Sequence, residues 1–317
     1  MVKKYVGSEQ MALKLKIIMN PSSGREQAMV HIEDMLAHLV ARGALERADI
    51  SYTSKRYDAK RFAENTDASQ YDYIVAVGGD GTVNEVLTGI MNAKIDLPLA
   101  IYTAGTVNDF ATINGIPTTP ASFARMLMSP DIRKVDCGKV GDRYFLNVLA
   151  GGLMTDVAYK VSSELKTAFG PAAYWLSAMK DIPGIHDRPA IPLVIKTEDE
   201  TVKADALMFM ISNSKSVGGF RKLMTMADLS DGLLDVLIVK KMDPSEVIPL
   251  LGELMMGDHI YNDNVVYFQT DKMKISVRGK SKVVLDLDGE KGPSLPCEVS
   301  CIRDAITLVV PNKEDSK

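Results

Sequence analysis

The chain has 317 residues, 46% hydrophobic and 25% charged, with a formal net charge of −4 and a pI near 5.7. That length supports two domains with separate cores, and the mildly acidic balance excludes a global basic field for nucleic acid or anionic membrane. Cys137, Cys297 and Cys301 are an odd set with no metal-ligand pairing beside them, so they read as reduced thiols of a cytoplasmic protein. No apolar run approaches the ~18 residues of a spanning helix. Met1 to Gln10 lacks the apolar core of a signal peptide and reads as a solvated leader.

From Leu13 to about Arg133, strand and helix alternate. Leu13 to Met19 reads as a strand, followed by the polar turn Asn20-Pro21-Ser22-Ser23-Gly24-Arg25. A helix then carries Ile32, Met35, Leu36, Leu39 and Val40 at i, i+3, i+4, i+7 and i+8. Ile50 to Thr53 is a strand, Asp58 to Glu64 a short helix, and Tyr73 to Val77 and Leu97 to Tyr102 are further strands. This βαβα pattern predicts a parallel, Rossmann-like sheet with ligands at the strands' carboxyl ends.

Gly78-Gly79-Asp80-Gly81-Thr82 follows the third of those strands, and a helix is expected to open at Thr82-Val83-Asn84-Glu85. Glycines admit close approach of backbone N–H groups to an anion, the helix N-terminus adds partial positive charge, and Asp80 suits Mg²⁺ or a ribose hydroxyl. A bare tight turn is the plain alternative. Ala104-Gly105-Thr106-Val107-Asn108-Asp109-Phe110 repeats the arrangement after the next strand. With the Asn20 to Arg25 turn, three polar loops share one sheet edge, enough to surround an adenine nucleotide.

Beyond about Val135 the texture turns to closely spaced strands: Arg143 to Leu149, Ile191 to Lys196, Ala206 to Ile211, Leu234 to Lys240, Val265 to Phe268, Lys272 to Val277, Val283 to Leu287 and Ile306 to Val310. That spacing predicts a sandwich-like domain, interrupted by helices at Val157 to Asp181 and Asp243 to Met256. The linker is expected at Arg133 to Gly138. The fold class is therefore α/β plus all-β, divided into residues 12–135 and 136–317, with the extreme C-terminus packing back on the first domain.

The ordered set Asn20-Pro21-Ser22-Ser23-Gly24, Gly78 to Glu85, Gly105 to Ala111, Asp228 to Val236 and Leu287-Asp288-Gly289-Glu290 resembles the bacterial diacylglycerol kinase family of soluble lipid kinases. The resemblance implies a nucleotide held in the cleft between an α/β catalytic domain and a C-terminal β-sandwich domain that binds lipid. It implies that Asn20, Pro21, Ser22, Thr53, Gly78, Gly79, Asp80, Gly81, Thr82, Val83, Asn84 and Thr106 contact ATP. Asp80 serves the phosphates and catalytic Mg²⁺, and Glu290 is the general base toward a lipid hydroxyl. Asp228, Asp231 and the Leu233 carbonyl match a structural Mg²⁺ site of some members. The implied reaction is ATP-dependent phosphorylation of diacylglycerol or a related membrane alcohol at the cytoplasmic membrane face, by a peripheral protein that forms a homodimer if a sheet edge pairs. Two departures stand out: Gly151-Gly152-Leu153-Met154-Thr155-Asp156 replaces the family's common Gly-x-Gly-Phe-Asp, and Thr112 stands where many relatives carry Arg.

NAD kinase, which shares the glycine loop, and a catalytically silent nucleotide- or lipid-binding regulator are the competing functions. Both carboxylates, Asp80 and Glu290, are present. The helix around Phe169 to Leu176, with the single Trp, reads as core or as a membrane contact. The Val217 to Lys222 turn reads as a surface turn or as the flank of an acyl entrance. His31, His38, His186 and His259 fall in no catalytic or metal pattern.

Overall fold

The computed structural model describes residues 12–23, 27–103, 109–153, 189–280 and 282–312. The first part follows the alternating pattern: β1 (Leu13–Met19), α1 (Gln27–Val40), β2 (Leu45–Tyr52), α2 (Asp58–Glu64), β3 (Tyr73–Gly78), α3 (Asp80–Ala93), β4 (Leu99–Thr103), α4 (Asp109–Ile113) and α5 (Pro120–Met128). Strands β2-β1-β3-β4 pair in parallel, so their carboxyl ends share one edge. Leu15, Ile17, Ile74, Val75, Leu99 and Ala100 are buried because helices cover both faces of a parallel sheet. Ile32, Met35 and Leu39 of α1 and Phe123 and Leu127 of α5 complete that core. Each fully buried side chain of this kind contributes about 1.5–3 kcal/mol.

The second part holds β5 (Pro130–Val140), β6 (Arg143–Phe145), β7 (Val148–Gly152), β8 (Ile191–Lys196), β9 (Thr201–Ser212), β10 (Leu234–Lys240), α6 (Pro244–Met256), β11 (Val265–Thr270), β12 (Lys272–Val277), β13 (Val284–Leu287), β14 (Glu290–Ser294) and β15 (Cys297–Pro311). Apart from the single β15–β4 junction these strands pair antiparallel, forming the C-terminal β-sandwich. Its two cores lie on opposite faces: Leu149, Phe209, Ile211, Leu285 and Leu287 on one, Ala150, Met210, Leu237 and Val239 on the other. That is the alternation a strand with two buried faces imposes.

β15 ties the parts together. Its first half pairs with β12, its last with β4 in parallel through Leu308 and Leu99, and β5 lies along most of its length. The stretch Arg133 to Gly138, expected as a linker, is therefore the middle of strand β5. Most of its pairing is with β15 at the other end of the chain, and only Gly138 meets the neighbouring β6. The expected strand Arg143 to Leu149 is two strands broken at Leu146-Asn147, whose backbone N–H groups turn to a carboxylate instead of a neighbouring strand. The helix Val157 to Asp181, with its aromatic stretch, lies outside the described residues.

Candidate active site

The glycine run is where the expected and observed structures meet most closely. β3 is buried along its whole length and ends on Gly78. α3 begins at Asp80, two residues before the expected Thr82, with Gly79 as its N-cap in extended conformation. Asp80 and Gly81 thus lie in the first turn, where the helix dipole favours an anion. Gly78 is required sterically, since a Cβ there would meet Thr82 Oγ1 at 2.5 Å. Thr82, Val83 and Asn84 are buried on the other side of that turn.

The neighbouring strand ends converge. Asn20 N–H donates to Val77 O at 2.9 Å, its Oδ1 accepts from Ser22 N–H at 3.0 Å, and Thr53 N–H donates to Met19 O at 2.9 Å. Asn20, Pro21, Ser22, Thr53, Gly78, Gly79, Asp80 and Gly81 consequently border one sheet edge. Thr106, with the rest of loop 104–108, lies outside the described residues, as do Met154 to Asp156.

Glu290 reaches this edge from the second half of the chain. A Cβ added to Gly81 would lie 3.1 Å from Glu290 Oε1, so the carboxylate rests against the first turn of α3. Glu290 opens β14, and Arg143 Nη1 donates to the carbonyl of the next residue, Lys291, at 2.6 Å. The turn before it is held by Asp288, left-handed at φ 50°. Its carboxylate accepts from the N–H groups of Leu146, Asn147 and Val148 at 2.9, 3.1 and 2.8 Å and from Asn84 Nδ2 at 2.9 Å. Burial pushes the Asp288 carboxyl above the usual carboxylate range, against the smaller opposing effect of those hydrogen bonds. Asn84 Nδ2 thus joins α3 to this turn, donating also to Tyr144 O at 2.8 Å.

Sequence reading missed three further residues here. Arg56 Nη2 lies 2.6 Å from Glu290 Oε2 in the loop after Thr53. Glu85, in the turn of α3 that follows the glycine run, accepts from Tyr57 and Ala59 N–H at 2.8 and 3.2 Å and pins that loop. Asp58 pins its other side, accepting from Ser54 and Lys55 N–H; the Ser54 N–H and Arg61 bonds hold its carboxyl well below the usual range. The sequence signal was an acidic residue at a helix start, Asp58, and the Glu that ends the glycine motif.

The expected structural metal site is a loop shaped by turns. Asp228 Oδ1 accepts from Ser230 N–H at 3.0 Å, and Asp231 Oδ1 from Leu233 N–H at 2.8 Å. Buried Asp136 holds the loop in place, accepting from Gly232 N–H and Asp304 N–H, each at 2.7 Å. Among the described residues no group of three or more His, Cys, Asp or Glu side chains is placed to hold a metal.

An apolar cavity open to solvent lies between α6 and the β7-β9-β10 face. Leu153, Met208, Met210, Val239, Leu251 and Leu254 line it. The Val217 to Lys222 turn contributes Val217 and Phe220, closed by a bridge between those two residues. His259 is buried beside it with Nε2 2.9 Å from Leu223 O, and burial lowers its pKa. No helix among the described residues is long and apolar enough to cross a membrane.

A glycine-bounded helix N-terminus on an α/β sheet, faced by a carboxylate from a β-sandwich, can receive an anion beside a proton acceptor. The diacylglycerol kinase catalytic domain matches residues 14–140, and the YegS C-terminal NAD kinase beta sandwich-like domain matches residues 148–310. The chain is 33% identical over 302 residues to the diacylglycerol kinase of Bacillus subtilis (strain 168), covering 95% of this chain and 97% of that protein. It is 33% identical to the diacylglycerol kinase of Staphylococcus aureus (strain MRSA252), covering 95% and 94%. A solved diacylglycerol kinase of Bacillus anthracis str. Sterne superposes with TM-score 0.76 at 26% identity, covering 95% of this chain and 98% of that one. Another solved chain from that organism shares the fold with TM-score 0.80. The chain belongs to the diacylglycerol kinase family and is a lipid kinase.

Proposed function

We propose that the protein transfers the γ-phosphoryl group of ATP to the free hydroxyl of diacylglycerol, giving phosphatidic acid. The observation that carries this reading is the contact of the Glu290 carboxylate with Gly81 in the first turn of α3. It sets a proton acceptor beside the anion-binding end of the helix.

ATP phosphates would lie on the N–H groups of Gly79 to Gly81, with Asn20, Ser22 and Thr53 along the same strand ends and Thr106 on the loop beyond. The lipid hydroxyl oxygen attacks the γ-phosphorus, the bond to the bridging oxygen breaks, ADP leaves, and Glu290 takes the hydroxyl proton. Alignment and charge neutralisation carry most of such a transfer, and a positioned base adds about 10²–10⁴-fold. Asp80, an exposed hard-oxygen donor in the same turn, would hold a Mg²⁺ ion, which would supply positive charge against the transferring phosphoryl group. Asp228, Asp231 and the Leu233 carbonyl offer donors of the same kind for a second ion that would stiffen their loop.

The apolar cavity suits an acyl chain. Ile248, Met255 and Met256 are exposed on α6, whose other face lines the cavity through Leu250, Leu251 and Leu254. A peripheral membrane contact through this helix follows, and absence of liposome binding both with and without Mg·ATP would refute it.

The test is ADP release and product identification in mixed micelles carrying diacylglycerol, undecaprenol, phosphatidylglycerol or a sphingoid base, and with NAD in solution. Phosphatidic acid from diacylglycerol supports the proposal. Turnover confined to another acceptor, or no turnover, overturns it.

A further inference from the structure

Arg56 and Glu290 stand 234 residues apart in sequence and form an ion pair with Nη2 to Oε2 of 2.6 Å. The guanidinium also lies over the Tyr57 ring, 5.0 Å from its centroid, on a residue held left-handed at φ 68°. Glu85 and Asp58 fix the backbone on either side, so the base of the Arg56 side chain is rigid while its head is half exposed. The partner carboxylate rests on Gly81 at the α3 N-terminus. A helix N-terminus and a guanidinium converging on one anion is the arrangement that binds phosphate. In this structure the protein's own carboxylate fills it.

From this geometry we infer that Arg56 exchanges partners: Glu290 in the nucleotide-free enzyme, the terminal phosphate of ATP in the loaded one. The inference rests on the proposed function, in which the α3 N-terminus receives the phosphates. A phosphate entering that turn competes with the Glu290 carboxylate for the same guanidinium. The displaced carboxylate loses its cationic partner and turns toward the acceptor hydroxyl. Without ATP, Oε2 is engaged by Arg56, so the carboxylate is held on the guanidinium until the phosphoryl donor is seated. ADP lacks the third phosphate and leaves the ion pair in place.

Calorimetric titration of the full chain with ATP and with ADP, both with Mg²⁺, tests this in the wild type, in the single variants Arg56→Gln, Arg56→Lys and Glu290→Gln, and in the double variant that combines Arg56→Gln with Glu290→Gln. Arg56→Gln is expected to weaken ATP about tenfold, the scale of one charge-assisted contact, and ADP less than about twofold. Arg56→Lys retains part of the ATP preference, because it keeps the charge and loses the fork. Glu290→Gln tightens ATP about threefold or more by removing the competitor, and this gain vanishes in the double variant. Equal weakening of ATP and ADP by Arg56→Gln, or a Glu290→Gln gain that persists without Arg56, overturns the exchange while leaving the kinase reading intact. If Arg56→Gln fails to fold, Glu290→Gln decides alone: unchanged ATP affinity refutes the exchange. A wild type that binds no ATP overturns the proposed function itself.

Discussion

Asn84 Nδ2 donates to Asp288 Oδ2 at 2.9 Å, joining the helix of the glycine motif to the turn that carries Glu290. The same carboxylate satisfies three consecutive backbone N–H groups, so its loss leaves four donors unpaired. Asp288→Ala should cost about 3 kcal/mol or more, and Asn84→Ala about 1–2 kcal/mol. Urea unfolding measures both. A shift below about 1 kcal/mol for Asp288→Ala would show that the turn is held by something else.

Gly81 and Gly138 separate catalysis from stability. At Gly81 an added Cβ presses on Glu290 Oε1 at 3.1 Å, whereas at Gly138 it would sit 1.9 Å from the buried Phe145 ring. Gly81→Ala is expected to lower kcat about tenfold with little change in Tm. Gly138→Ala should lower stability by about 1–3 kcal/mol and leave kcat of the folded fraction unchanged. The reverse assignment, read from kcat and Tm together, would contradict the placement of Glu290.

Asp136 accepts through both oxygens, from Gly232 and Asp304 N–H. Asp136→Asn is nearly isosteric, yet its amide presents an N–H to one of those donors. A cost of about 2–3 kcal/mol follows, together with accelerated proteolysis of the Asp228 to Leu233 loop. Wild-type Tm in the Asp136→Asn variant would contradict this account.

Asp235 is buried, and its carboxyl is pushed up to about 6, chiefly by burial and also by Asp231; Tyr267, Gln269 and Lys215 oppose the shift. A carboxyl raised in the folded state keeps its proton where the unfolded chain has released it. Its contribution to stability is therefore greatest below the unfolded value near pH 4 and is lost as pH rises to about 6, by up to about 3 kcal/mol. Asp235→Asn should lack this slope in urea titrations across about pH 4–7. Parallel curves for the two proteins would refute it.

The site's local elements were legible in sequence, and its long-range connections were not. Gly78 to Thr82 announces itself because strand, glycine turn and helix are contiguous. Glu290 was found through the Leu287 to Glu290 resemblance. Arg56 and Asp136 carry no such mark, because their partners lie at distant points of the chain and only folding brings them together. β5 was hidden for the same reason: Pro130, Asp131 and Gly138 break any strand pattern, and pairing with β15 supplies what local propensity lacks. α5 was overlooked despite a readable signal, the N-cap Thr119 followed by Pro120 at the first helical position.

The most direct test of the central claim is the kcat of Glu290→Gln on diacylglycerol micelles at saturating Mg·ATP. A positioned base predicts a fall of about 10²-fold or more with ATP binding retained. A kcat within about threefold of wild type would contradict the assignment of Glu290 and, with it, the reading of the cleft as a base set against a phosphate-binding helix.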